Sequence, residues 1–221
     1  MRFFISLSTL LFACSITYAQ SSSEPAEPKG TEFYAGAALN ITHIKPGNNY
    51  AKNGGKSYTS SLPALIVGIN AYPRPLTRRA YFGLELSLGQ NKYLSVYDNK
   101  VSPYTQLTYG YTQTVLSAAP QVNINLYNAE NFKWFVGVGV LFQRNFYSQH
   151  KLSAADGSTF GEIFQFDLSK NQNRIMTKSG FTINKQFQIF GQYLTPVVTS
   201  RDIAYFTVSM QTTTVGVNYL F

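Results

Sequence analysis

Cysteine is almost missing from this chain: it occurs once, at Cys14, inside a leader-like N-terminal stretch. Removal of that stretch would leave no thiol, which excludes disulfides from the remainder. Histidine is nearly as scarce, with only His43 and His150. Charged residues make up 13% of the chain, and no basic run is longer than the pair Arg78–Arg79. The formal net charge of +8 is therefore too dispersed to support nucleic-acid binding. Past the leader, no stretch is apolar enough for a membrane-spanning helix, which needs about 20 residues.

Aromatic residues are abundant instead. There are 16 Tyr and 17 Phe, and aromatics reach 15% of the chain. With so few charges, that composition suits interfacial girdles better than an ordinary soluble core. The last ten residues, TTTVGVNYLF, show how they are used. Val215, Val217, Tyr219 and Phe221 fall on one face of a strand, and Thr214, Gly216, Asn218 and Leu220 on the other. In a transmembrane barrel the apolar face meets lipid and the small and polar face meets the lumen.

Residues 1–19 read as a secretory signal peptide, with Arg2, an apolar run from Phe3 to Ala13, and Ala19 as the cleavage point. Residues 20–30 form a Ser/Pro/Glu linker expected to be a flexible periplasmic lead-in. Residues 31–221 are expected to be one barrel domain.

The two-residue period of the terminal strand recurs upstream. Eight strands are expected, at about residues 32–42, 61–72, 81–89, 105–127, 134–142, 174–184, 187–193 and 205–221. Phe33, Ala35, Ala37, Leu39 and Ile41 share the outer face of the first. Phe82, Leu84, Leu86 and Leu88 do so in the third, and Trp134, Val136, Val138, Val140 and Phe142 in the fifth. Asn123, Asn125, Gln188, Gln192 and Asn218 face inward. Gly137 and Gly139 also face inward and would leave room in a narrow barrel. Ile66 is an apolar residue on the inner side. Pro120 should bring a bulge or a missing ladder bond.

The expected connections are a long basic loop at 43–60, a basic turn at 73–79, a short loop at 96–103 and a compact turn at 128–133. An irregular stretch at 147–173, a tight turn at 184–186 and a last outer loop at 195–204 follow. The short third connection spoils a strict alternation. Both termini still fall on the short-turn side, which is the periplasm in outer-membrane barrels. An even strand number lets the ring close and satisfy every backbone group in lipid. The fold class is thus a closed antiparallel up-and-down transmembrane β-barrel, with the last strand pairing with the first.

The leader, Tyr34–Ile41 (YAGAALNI), Phe82–Gly89 (FGLELSLG), Trp134–Phe142 (WFVGVGVLF) and Val215–Phe221 (VGVNYLF) resemble the small outer-membrane β-barrel proteins. The likeness is to the PorT-like barrels of Bacteroidota, with OmpX- and OmpW-like architecture, across the whole mature chain. It implies integral outer-membrane localisation and supplies no reaction. The end of the chain, Val217, Tyr219 and Phe221, is similar to the signal read by the barrel-assembly machinery, which makes that machinery an expected partner.

Candidate sites are few. A carboxylate in mid-strand is costly against lipid, so Glu85 must point inward. Lys178 and Arg174 point inward by parity, and Glu85 with Lys178 forms a candidate luminal salt bridge, since an unpaired charge there costs several kcal/mol. A proton or ion path is the sharper alternative. Lys45, Lys52 and Lys56 are candidate contacts for lipopolysaccharide phosphates or another anionic partner. His43 and His150 read as rim histidines. No metal-ligand spacing, nucleotide loop or catalytic set is present, so no cofactor is expected. The expected role is non-enzymatic: structural, or surface interaction with lipopolysaccharide or a protein partner through the outer loops. A narrow channel for small or hydrophobic molecules is the alternative, followed by a lipid-modifying enzyme.

Overall fold

The computed structural model describes residues 30–46, 55–73, 79–98, 106–154, 159–160, 171–200 and 207–221. The leader, the linker to Lys29 and Lys52 lie outside them. The strands are β1 (Thr31–Pro46), β2 (Gly55–Ala71), β3 (Ala80–Asp98), β4 (Gln106–Asn128), β5 (Phe132–Ala154), β6 (Thr159–Phe160), β7 (Asn171–Ile183), β8 (Phe187–Ser200) and β9 (Thr207–Leu220). All pairings are antiparallel, and no helix occurs among the described residues. Each strand pairs with its neighbour, β4 pairs β5, and β9 pairs β1. Eight strands therefore form a closed ring, while the two-residue β6 adds only to the far end of β5. The terminal strand is the closing strand, with Val217 opposite Ala37.

The register fixes the dimensions. From Ala37, one direction passes Leu65, Leu88, Leu116 and Arg144 to Asn171. The other passes Val217 and Ile189 to Phe181, ten residues from Asn171 on the same strand. A shear of ten over eight strands, with about 3.3 Å rise and 4.8 Å spacing, gives a tilt of about 40° and a backbone radius of about 8 Å. Such a barrel is filled by its own side chains.

The outer face is the apolar one. Phe33, Leu39, Leu84, Val138, Ile189 and Val217 are all exposed, whereas Asn123, Gln113 and Asn218 are buried inside. From Phe33 to Ile41 the tilted strand climbs about 20 Å, close to the height of a lipid-facing band. Aromatic rings line its tight-turn edge: Phe132 stacks on Phe181 at 5.4 Å, and Tyr219 meets Phe187 and Phe221 edge-on at 5.4 and 5.2 Å. At that end Asn184 and Lys185 both have positive φ, 51° and 60°. Gln186 N donates to Ile183 O at 3.2 Å, closing a two-residue hairpin turn that matches the strand twist.

At the opposite end the strands run further than the sequence pattern indicates. β1 continues to Pro46 and β2 begins at Gly55, so Lys45 and Lys56 lie on strands and the expected loop at 43–60 is mostly sheet. β3 reaches Asp98, β5 reaches Ala154, and β8 reaches Ser200, inside the stretches read as loops at 96–103, 147–173 and 195–204. Beyond the apolar band both faces of a sheet meet water, so the alternation lapses while the ladder continues.

Pro120 brings the missing pairing and no bulge: Ala119 and Pro120 lack partners on β5, and Ala118↔Phe142 and Gln121↔Gly139 flank them in one register. Register shifts lie elsewhere: on the β4–β5 pair between Thr114 and Val115, which leaves Phe146 without a partner on β4, and between Asn125 and Tyr127; on β2 between Tyr58 and Ala64; and on β8 between Leu194 and Val197. Nor do the luminal glycines leave space. The Asn123 amide occupies the volume a Cβ at Gly137 would need, and Gln121 and the Pro120 carbonyl occupy that at Gly139.

Candidate functional site

The inward residues form stacked layers. Nearest the tight turns, Tyr34, Ala38, Ile66, Phe135, Phe190 and Leu220 make an apolar cluster. Gly68 seats it, because a Cβ there would fall on the Tyr34 ring. Tyr34 is thereby held so that its hydroxyl donates to Glu85 Oε2 at 3.2 Å. The same oxygen accepts from Lys178 Nζ at 2.5 Å, and both charged side chains are buried. Lys178 Nζ also lies 4.1 Å from the centroid of the Phe190 ring. The structure therefore brings Glu85 and Lys178 together, and adds Tyr34 and Phe190, which sequence reasoning missed. The available signal was the inward parity of two bulky aromatics facing glycine-bearing strands.

Above this layer the lumen is lined by amides and hydroxyls. Thr214 Oγ1 donates to Asn40 Oδ1 at 2.9 Å there, while Asn218 Nδ2 donates to Gln188 Oε1 at 2.9 Å at the tight-turn end. A cavity of about 20 Å³ lies among Asn40, Glu85, Asn91, Gln143 and Gln192, room for roughly one water. Arg174 closes the next layer. Its Nε donates to the Thr195 carbonyl at 2.7 Å, one terminal nitrogen to the Leu194 carbonyl at 3.4 Å and the other to Thr212 Oγ1 at 3.2 Å. Leu194 and Thr195 sit at the β8 register shift, next to Pro196, where the ladder to β9 is interrupted. Tyr93 stacks on Tyr111 at 6.3 Å and reaches Thr212 at 3.3 Å, while Gln113 Nε2 donates to the Tyr111 hydroxyl at 2.6 Å.

A similar repair occurs on β2 at Pro63. Between Tyr58↔Leu94 and Ala64↔Gly89 the β2–β3 ladder is broken. Asn40 Nδ2 reaches the Gln90 carbonyl at 3.3 Å, and the hydroxyls of Thr42 and Ser60 both donate to the Lys92 carbonyl. Side chains from β1 and β2 thus hold β3 across the gap.

The remaining predicted residues do not converge. Val217 and Tyr219 face outward on β9, and Phe221 N donates to the Phe33 carbonyl at 2.9 Å. Lys45 lies opposite Ser209 on β1, and Lys56 is exposed opposite Val96. His43 Nδ1 is 3.3 Å from Thr59 Oγ1 at the band edge, while His150 lies opposite Tyr111 on β5. No group of three potential metal ligands occurs among the described residues.

No protein-family model matches the chain, and no curated protein matches it. Solved structures do. The outer-membrane protein OprG of Pseudomonas aeruginosa aligns over 89% of this chain and 98% of its own, with 13% identity and a TM-score of 0.51. The attachment invasion locus protein Ail of Yersinia pestis, solved with the heparin analogue sucrose octasulfate, aligns over 86% and 99% with 11% identity and a TM-score of 0.41. The fold is that of a small outer-membrane β-barrel. Among the described residues the barrel's interior is filled by its own side chains.

Proposed function

We propose that this protein is an integral outer-membrane barrel with a non-enzymatic, surface-interaction role, its lumen closed and its tight turns and termini in the periplasm. The observation that carries the reading is the asymmetry of the ring. Past Leu88, Leu116 and Phe142, strands β3, β4 and β5 continue ten to twelve residues to Asp98, Gln106 and Ala154. At about 3.3 Å per residue and a tilt of about 40°, they stand some 25 Å beyond those residues as one paired wall. The opposite ends stop in turns as short as residues 129–131 and 184–186. A sealed lumen with a cavity near 20 Å³ supports a role on the outside of the barrel. Membership of the PorT-like barrels is part of the same proposal and rests on the sequence motifs alone.

Epitope insertions test the placement. A tag at 155–158 should be labelled on intact cells, and a tag at 129–131 only after the outer membrane is opened. The reverse pattern would overturn the proposal.

A further inference from the structure

Of the three lysines singled out in the first connection, Lys45 and Lys56 lie on β1 and β2, and the barrel geometry gathers other cations on β3 and β5. Arg144 on β5 pairs with Leu116 on β4, while Lys92 on β3 pairs with Thr112 on β4. Lys92 is thus four residues further up the strands than Arg144, and two strands back along a row that climbs toward β5. With a tilt of about 40°, four residues add about 10 Å of height and two strands subtract about 6 Å. Arg144 and Lys92 therefore stand within about 4 Å of one height. Thr114, on the strand between them, falls in the same interval.

All three are outward by parity and lie directly above the apolar band, after Phe142, Leu116 and Leu88. Gln90, also outward, donates from Nε2 to Thr114 Oγ1 at 3.3 Å, so a hydroxyl–amide pair sits between the two cations. The Arg144 guanidinium lies over the Phe146 ring at 5.7 Å, and Phe146 and Tyr147 are exposed beside it. Among the described residues, Glu32 and Glu130 are at the tight-turn end, Glu85 is luminal, and Asp98 ends β3 six residues beyond Lys92. The strip thus contains two cations, neutral donors and aromatic rings, with no described carboxylate at its height.

We propose that Arg144, Thr114, Gln90 and Lys92 form a binding strip for the headgroup of a bisphosphorylated glycolipid of the lipid A type. The reading rests on the proposed membrane placement. Two features select this ligand. The strip faces sideways along the membrane, at the level where headgroups meet the acyl region, which suits a lipid better than a protein approaching from above. The two cations are separated by about 16 Å at the backbone, a span that one phosphate cannot bridge but a headgroup with a phosphate at each end can. The acyl chains would then lie on Leu88, Leu116 and Phe142, and Arg144 would bind as a planar donor already oriented by Phe146.

The test uses the full chain in nanodiscs of phosphatidylethanolamine containing bisphosphorylated lipid A, monophosphoryl lipid A or phosphatidylglycerol, with bound lipid counted by native mass spectrometry. Wild type should retain bisphosphorylated lipid A most strongly and lose it as salt rises. Arg144→Gln with Lys92→Gln should weaken retention about 30-fold, from about 1 kcal/mol per cation near a charged surface. Lys133→Gln with Lys185→Gln, at the other end, should leave it unchanged. Equal retention by wild type and the Arg144/Lys92 variant would overturn the strip, as would an equal loss in the far-end control. A preference for phosphatidylglycerol would overturn the choice of ligand. Gel heat-modifiability confirms that each variant is folded. Reversed epitope labelling on cells would defeat the membrane placement without touching this result, so the two failures are distinguishable.

Discussion

Replacing Lys178 with methionine should be among the most damaging single changes in the barrel. The ammonium gives Glu85 its 2.5 Å partner, and among the described residues the carboxylate's other donor is the Tyr34 hydroxyl at 3.2 Å. Removing one member of a buried pair costs roughly 3–5 kcal/mol, because the partner is left charged and desolvated. Glu85→Gln should cost less. Lys178 keeps the face of Phe190 at 4.1 Å, a contact worth about 2 kcal/mol when water is excluded. The double variant Glu85→Gln with Lys178→Met removes both charges, leaves an amide in reach of the Tyr34 hydroxyl, and should return to within about 1–2 kcal/mol of wild type. Urea unfolding in lipid vesicles, read by tryptophan fluorescence from Trp134, measures all three, and the cycle isolates the coupling. Additive single effects, or a Lys178→Met loss below about 0.5 kcal/mol, would refute the claim that this pair is buried and mutually dependent.

Two further outcomes follow from the ladder and the closure. Those backbone amides of residues 59–62 and 90–93 that point into the broken β2–β3 seam, rather than toward β1 or β4, should exchange about 100-fold faster than those of residues 177–181 in the continuous β7–β8 ladder; equal protection in hydrogen exchange would show that the seam is as tight as the rest. Deleting Phe221 removes the Phe221 N to Phe33 carbonyl bond and an edge-on contact with Tyr219, and should lower the yield of heat-modifiable protein in the outer membrane; an undiminished yield would remove the terminal residue from assembly.

Much of this architecture is legible in the sequence because the lipid band enforces a strict rule. Val215, Val217 and Tyr219 face out and Asn218 faces in because an apolar solvent surrounds the barrel, and one slip of register would invert every residue. Glu85 is inward for the same reason, and its pairing follows from the cost of an isolated charge. The rule ends where the lipid ends. Lys45, Lys56 and Ser148 continue paired strands, yet their polarity and nearby glycine and asparagine resemble loop composition. Arg174 is a different case. Its parity is readable, but its partners are carbonyls of Leu194 and Thr195 at an interruption of the ladder, and a carbonyl has no sequence signature. The strip at Arg144 and Lys92 was hidden because these residues are 52 positions apart in the chain. Only the tilt and shear bring them to one height.

The interior argues for where function can reside. Two prolines, Pro63 and Pro196, stand beside interruptions of the barrel wall, and luminal side chains reach the wall at both. Asn40, Thr42 and Ser60 hold β3 at the first, and Arg174 holds β8 at the second. The residues that block the lumen are therefore the same residues that fasten the wall. Opening a path for a solute would require Arg174 to abandon two backbone carbonyls and Glu85 to leave Lys178, with several kcal/mol lost at each site. A barrel built to conduct could have satisfied those carbonyls with water. In this barrel the plug is a structural member, which supports the proposed role on its outside, at the wall of β3–β5 and the rim beneath it.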